Sequence, residues 1–225
     1  MKALLENKIM FRPPPLGCVL ALPGLPGSGS KIYDRSPYGN SGAVNGATWT
    51  CLPSGLWHLQ FDGSDDYAEI PGITGAIATE QLSVGAWIRM DRLNAGEQDI
   101  ISCQDGSGGW SYYNTLDDLY FTVRIGGGME TVQITGAAVV GTWYHVICVY
   151  DGINLRSYRN GQAVQTLYSP GTVGGGATGL KLGRFGASGL YSQCALALPC
   201  LYRRSLSALE IQNLFQWEKE LLGVW

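Results

Sequence analysis

This chain of 225 residues is short of charge: Asp, Glu, Lys and Arg together make up 15% of it, against about 25% in an average soluble domain. The net charge is only −3 and Lys and Arg form no cluster, so the electrostatic footprint needed to hold a phosphate backbone is missing and nucleic acid is not an expected partner. Apolar runs are also short. None approaches the ~18 residues of a membrane helix, so no membrane insertion is expected. The start, residues 1–12, has an apolar run too short and too charged for a secretory signal peptide. The six cysteines, Cys18, Cys51, Cys103, Cys148, Cys194 and Cys200, contain no CxxC pair, which argues against a zinc site and against the dense staple pattern of a small secreted domain. Several lie in apolar strands, so buried free thiols are expected, with a bridge from Cys194 or Cys200 to a distant strand as the alternative.

Catalytic signatures are missing as well. There is no Gly-x-Ser-x-Gly elbow and no HExxH helix. A retaining glycosidase needs two carboxylates about 5 Å apart, which on one strand means residues i and i+2 or i+4 on the same face. No expected strand carries that ladder: Glu69 stands alone, and Asp117 and Asp118 are adjacent and point opposite ways. Enzyme activity is therefore not expected.

What the chain has is glycine and strand pattern. Its 32 glycines are about twice the usual share and are dispersed among strand-like runs, the mark of many tight turns. Residues 143–150 are β-branched and aromatic and close on Asp151-Gly152; residues 155–159 follow and close on Asn160-Gly161. Both dipeptides are two-residue hairpin signals, so three antiparallel strands are expected. Further strands are expected at 18–22, 56–61, 66–70, 81–90, 99–104, 119–125, 131–134, 180–185 and 195–202. Turn signals about every ten residues are what a two-sheet sandwich requires. Along 81–90, Leu82, Val84, Ala86 and Ile88 share a core face, while Ser83, Gly85, Trp87 and Arg89 share the other, where Trp87 needs cover.

Near the end the period changes. Ser207-Ala-Leu-Glu210 matches a capping box, with Leu206 and Ile211 at the staple positions. A helix over about 208–222 is expected, with Ile211, Leu214, Phe215, Leu222 and Trp225 on one stripe and Gly223 as its stop. Pro13-Pro-Pro15 marks residues 1–17 as an extended arm, leaving 18–225 as one domain of ample length for a full core.

Three stretches, Phe61-Asp-Gly-Ser-Asp-Asp-Tyr67, the run from Gly141 to Gly152 and Leu201-Tyr-Arg-Arg-Ser-Leu-Ser-Ala-Leu-Glu-Ile211, resemble in order and spacing the laminin-G-like jelly rolls of the concanavalin A-like lectin/glucanase family. The resemblance covers most of 18–216 and implies an all-β, two-sheet antiparallel jelly-roll sandwich with a short C-terminal helix. Some members of that family hold calcium near loops like the one carrying Asp62, Asp65 and Asp66. Here, however, Ala197 and Leu198 occupy the positions of the family's acidic pair and cannot coordinate a hard cation, so calcium is disfavoured and no cofactor is expected. The glucanases' Glu-x-Asp-x-x-Glu arrangement is absent.

Two readings of single residues follow from their company. Trp87 and Trp143 lie inside strands and are read as core. His58 and His145 share no metal spacing and are read as satisfied, partly buried side chains. The segment 106–118 is the best candidate for ligand contact: Trp110, Tyr112 and Tyr113 would form an aromatic platform, with Asn114, Asp117 and Asp118 to bind hydroxyls. Its structural alternative is a glycine-rich hairpin that roofs the sandwich. The function expected is a non-enzymatic, lectin-like binding and decoration module on a virion (phage) surface or another extracellular assembly, recognising glycan or protein and self-associating through its termini. A secreted or cell-surface carbohydrate-binding lectin domain is the alternative, with a glycoside hydrolase behind both.

Overall fold

A computed structural model describes residues 15–24, 29–77, 80–93, 96–105, 107–135, 138–186 and 189–223. Within them run the strands β1 (Cys18–Ala21), β2 (Lys31–Ile32), β3 (Gly42–Asn45), β4 (Thr48–Cys51), β5 (Trp57–Asp62), β6 (Tyr67–Thr74), β7 (Leu82–Met90) and β8 (Gln98–Ser102). The second half supplies β9 (Trp110–Thr115), β10 (Asp118–Ile125), β11 (Gly128–Thr135), β12 (Trp143–Tyr150), β13 (Asn154–Arg159), β14 (Gln162–Tyr168), β15 (Gly179–Leu182) and β16 (Gln193–Tyr202). One helix, α1 (Ala208–Leu222), follows.

The strands form two antiparallel sheets. The first has the order β14-β13-β12-β7-β16-β5-β4, with β1 added beside β16; the second has the order β11-β10-β9-β8-β15-β6-β3-β2. The jelly-roll sandwich expected from the sequence is the observed fold. The meander at 143–168 forms as β12, β13 and β14, turning at Gly152 and at Asn160-Gly161, all with positive φ. The short strands β2, β3 and β4 and the strand β9 are additions; β9 fills the segment read above as a ligand-binding loop or hairpin.

Alternation decides what each sheet buries. Leu82, Val84, Ala86 and Ile88 of β7, with Val146 and Cys148 of the adjacent β12, face Tyr112 and Phe121 of the second sheet in one continuous core. Tyr112 ties the layers together: its hydroxyl donates to the Val84 carbonyl at 2.5 Å and accepts the Cys148 amide at 2.8 Å. A buried phenol satisfied at both ends in this way costs little to desolvate.

The outer face of the first sheet is covered by α1. The capping box has formed: the Ser207 hydroxyl accepts from the Glu210 amide, Glu210 reaches back to the Ser207 amide, and Gly223 closes the helix in the left-handed conformation. Arg204 holds Glu210 at 2.6 Å, and that bond keeps the Glu210 carboxyl down to about 2. Ile211, Leu214, Phe215, Leu221 and Leu222 are buried against Trp87, Trp143, Ile147, Tyr158 and Tyr202. Trp87 thus receives the cover its face required. Phe215 stacks on it at 5.7 Å.

The 34–40 stretch, with its aspartate and asparagine, serves the backbone. Asp34 accepts from the amides of Ala21, Ser36 and Asn40, while the Asn40 side chain donates to the Val19 carbonyl, so this loop seals the free edge of β1. All six cysteines are free thiols, so the alternative of a bridge at Cys194 or Cys200 is not taken up. Burial pushes the Cys18 thiol up to about 12, which suppresses its reactive thiolate. The arm expected at 1–17 lies outside the described residues as far as Pro14, and so does Trp225 of the expected helical stripe.

Candidate functional site

The six residues expected to touch ligand divide by strand alternation. Trp110, Tyr112 and Asn114 share one face of β9 and are 1%, 1% and 0% exposed. Trp110 packs on Phe121, Tyr112 joins the two sheets, and Asn114 donates to the carbonyls of Leu116 and Asp118 to shape the β9–β10 turn. A side chain sealed to that degree offers no face to a ligand, so these three are structural. Tyr113, Asp117 and Asp118 remain at the surface, Tyr113 and Asp118 half-buried and Asp117 exposed.

Tyr113 belongs to a larger arrangement on the outer face of the second sheet. Register places it between Asp99 of β8 and Tyr120 of β10, with Gln133 of β11 beyond. Tyr113 and Tyr120 stack at 5.4 Å with an interplanar angle of 20°. The Tyr120 hydroxyl donates to Asp118 Oδ2 at 2.8 Å, and this bond pushes the phenol up to about 12. One register step along lies a hydroxyl row of Ser102, Ser111, Thr122 and Thr131. Toward β6 the row continues through Lys181, ion-paired with Glu69. Arg184 lies over the rings of Tyr67 at 4.7 Å and Tyr191 at 5.7 Å.

Asp99 sits in the middle of this face and is 0% exposed. Its Oδ1 accepts from Ser111 Oγ at 2.6 Å, and its Oδ2 has no hydrogen-bond donor. Burial, reinforced by the neighbouring Glu97 carboxylate, pushes its carboxyl up to about 8. Asp99 is therefore protonated and uncharged at neutral pH. Glu97, which precedes β8, stands two residues from Asp99 and interacts with it, but it lies outside the strand, so no described strand carries two carboxylates on one face.

The acidic loop between β5 and β6 is built as turn chemistry. Asp62, Asp65 and Asp66 come within 4.8 Å of one another. Asp62 Oδ1 accepts the Ser64 amide, which lowers its carboxyl, while Asp66 Oδ2 accepts the Asp62 amide. Ala197 and Leu198 lie buried beneath α1 with Trp87 and Phe215. The two histidines are both buried: His58 meets Trp143 edge-on, and His145 lies 3.4 Å from Glu218, which also accepts from the Trp87 indole at 2.8 Å.

The chain is thus a jelly-roll sandwich with a helix laid over one outer face and the half-buried Tyr113–Tyr120 pair on the other. The description of the concanavalin A-like lectin/glucanases superfamily matches residues 62–212, in its laminin-G-like form, and the chain belongs to that family. Among solved structures, it is similar to the binding domain of Paraclostridial Mosquitocidal Protein 1, with 16% identity, a TM-score of 0.74, and coverage of 88% of this chain and 52% of that one. It is similar also to the Botulinum Neurotoxin serotype G binding domain, with 15% identity, a TM-score of 0.71, and coverage of 90% and 51%. For the receptor binding domain of botulinum neurotoxin D the values are 13%, 0.69, 90% and 53%. At such identities the likeness is one of fold, and this chain spans about half the length of each. No curated protein matches its sequence.

Proposed function

We propose that this chain is a non-enzymatic, lectin-like binding module that recognises glycan or protein through the open face of its second sheet. The observation that carries the reading is the contrast between outer faces: α1 covers one with apolar side chains, whereas on the other the stacked Tyr113–Tyr120 pair stays half-buried, with Thr131 and Asp117 exposed nearby. Aromatic faces and fixed hydrogen-bonding groups are what a sugar or a polar protein surface requires of a site. The fold supports the same reading, because the solved structures it is similar to are binding domains.

A hydrolytic role is disfavoured on chemical grounds. Asp99 is sealed from the surface and so cannot reach a glycosidic oxygen, and the Glu97–Asp99 pair therefore cannot supply the two carboxylates such a reaction uses. On this reading the module is displayed on a virion surface or another extracellular assembly, attached and self-associated through its two ends. A secreted or cell-surface carbohydrate-binding domain is the second form of the same proposal. A glycan array with the full chain tests both: binding of one sugar class, lost in Tyr113→Ala and Tyr120→Ala but kept in Thr48→Ala on the first sheet, is the expected result. An array with no binder, together with no capture of a surface protein, refutes the reading.

A further inference from the structure

Among the described residues, β14 is the sheet margin that the fold leaves bare. It closes one end of the first sheet, with β13 as its ladder partner and nothing paired beyond it. A free strand edge is a template for another strand, and proteins blunt it with charge, proline, brevity or a cap. The other margins are blunted: β2 and β4 have two and four residues, and the loop around Asp34 seals β1. On β11 the Gln133 amide donates to Gln165 Oε1 and the Gln133 carbonyl accepts from Ser157 Oγ, each at 2.6 Å, so side chains of the first sheet cap that edge. β14 carries no charged residue and no proline, and among the described residues no side chain caps it. Six of its seven residues are exposed, with Val164 at 42% and Tyr168 at 72%.

We propose that β14 is a self-docking edge: two copies of this chain pair through it, antiparallel about a twofold axis at Thr166, so that the first sheet runs on from one copy into the other. Register chooses that centre. Opposed residues of an antiparallel pair lie on the same face. A register shift between Ala163 and Gln165 interrupts the alternation of β14, leaving Gln165–Tyr168 as a regular run against β13 with Val164 at its start. Pairing about Thr166 uses that run: Val164 meets the partner's Tyr168, Gln165 the partner's Leu167, and Thr166 the partner's Thr166. Aromatic rings beside β-branched residues, and threonine beside threonine, are favourable cross-strand neighbours. The two exposed apolar side chains of the strand thereby cover each other. Pro170, just past β14, has no N–H with which to extend the ladder.

A second copy is favoured over a foreign strand because the match is with itself. An uncharged strand sets no like charges opposite each other across a twofold axis, and the side chain needing cover at one end of the run is covered by the one at the other end. A ladder of about five residues a side is smaller than a standard interface, so the expected dimer is weak, with a dissociation constant on the order of 10 μM. The axis stands perpendicular to the sheet, which leaves both second sheets on the same side. Two Tyr113–Tyr120 faces then look the same way and can engage one multivalent surface together. That gain in avidity rests on the binding-module reading; the pairing itself does not.

Sedimentation velocity of the full chain, over concentrations on either side of that constant, tests the pairing. A monomer–dimer equilibrium is the expected result. Thr166→Lys sets two like charges face to face on the axis and should weaken the dimer roughly tenfold or more. Val164→Lys with Tyr168→Lys should do the same, whereas Val164→Lys with Tyr168→Glu sets unlike charges opposite each other and should restore most of the affinity. All three positions are exposed, and matching circular dichroism melts separate loss of the dimer from loss of the fold. A monomer at every concentration overturns the proposal. So does a dimer that the lysine variants leave unchanged, which would place the contact elsewhere, as at the chain ends. Equal weakening by both double variants refutes the pairing about Thr166. Binding of a soluble monovalent sugar needs no dimer, so a monomeric chain that still binds sugar defeats the pairing alone, and a dimer without any binder defeats the binding module alone.

Discussion

The two outer faces of the sandwich differ in how their aromatic side chains are used. On the first sheet Trp87 and Trp143 are 0% and 6% exposed because a helix lies over them. On the second, Tyr113 and Tyr120 are half-buried and stack on each other, while Tyr67 and Tyr191 are half-buried with Arg184 over their rings. The lesson is that an aromatic on a strand becomes core or platform according to what is laid over its face. The residue type does not make the choice: Tyr158 and Tyr202 of the first sheet are buried under the helix as the tryptophans are.

If that division is right, deletions on the covered face must damage the fold and deletions on the open face must not. Trp87→Ala removes a fully buried ring together with the hydrogen bond to Glu218, and should cost about 3–5 kcal/mol in urea unfolding. Loss under about 1 kcal/mol would mean that α1 covers the sheet only loosely. Glu218→Ala keeps the packing but strips the acceptor from the Trp87 indole and the partner from His145; a loss of about 1.5–3 kcal/mol is expected by the same measurement.

The faces should also respond to pH in opposite directions. On the first sheet, His58 is held down to about 4 by burial and by the charge of Arg89, against ~6.5 in an unfolded chain. Its contribution is present above ~6.5 and is lost as pH falls toward the folded value. On the second, Asp99 keeps its proton up to about 8, against ~3.9 unfolded. Its contribution is whole below ~3.9 and is lost as pH rises through the folded value. His58→Gln should therefore flatten the profile between about pH 4 and ~6.5 and Asp99→Asn the profile between ~3.9 and about pH 8, each by up to ~1.4 kcal/mol per pH unit. Unfolding midpoints measured across pH for both variants would show it; parallel profiles for Asp99→Asn and wild type would mean that the carboxyl is ionised and solvated. The smallest effect is expected from Tyr113→Ala, which breaks the half-buried stack with Tyr120: about 0.5–1.5 kcal/mol of stability, with ligand affinity falling far more than the melting temperature.

Much of the fold was legible because its signals are local. The runs 143–150 and 81–90 carry their own alternation, Asp151-Gly152 and Asn160-Gly161 carry their own turns, and Ser207 with Glu210 carries the start of the helix. Parts of the site were not. The segment from Trp110 to Thr115 looked like a glycine-flanked loop rich in rings, and its aromatic residues were grouped as one platform. Taken instead as a strand, the same letters alternate: Trp110, Tyr112 and Asn114 fall on one side, and Ser111, Tyr113 and Thr115 on the other. Short strands such as β2 and β3 carry too few residues to show a period.

Arg184, Tyr67 and Tyr191 could not have been grouped from the sequence. Tyr67 and Arg184 are far apart in the chain and meet only because β6 and β15 are neighbours, a pairing that depends on how the whole jelly roll winds. The sequence by itself determined the alternation, the turns and the helix cap, since each is settled by residues within a few positions of one another. Only the tertiary structure decided which alternating face would be roofed by α1, which carboxyl would be stripped of water, and which strand would be left at a bare edge, because burial and pairing depend on everything packed nearby.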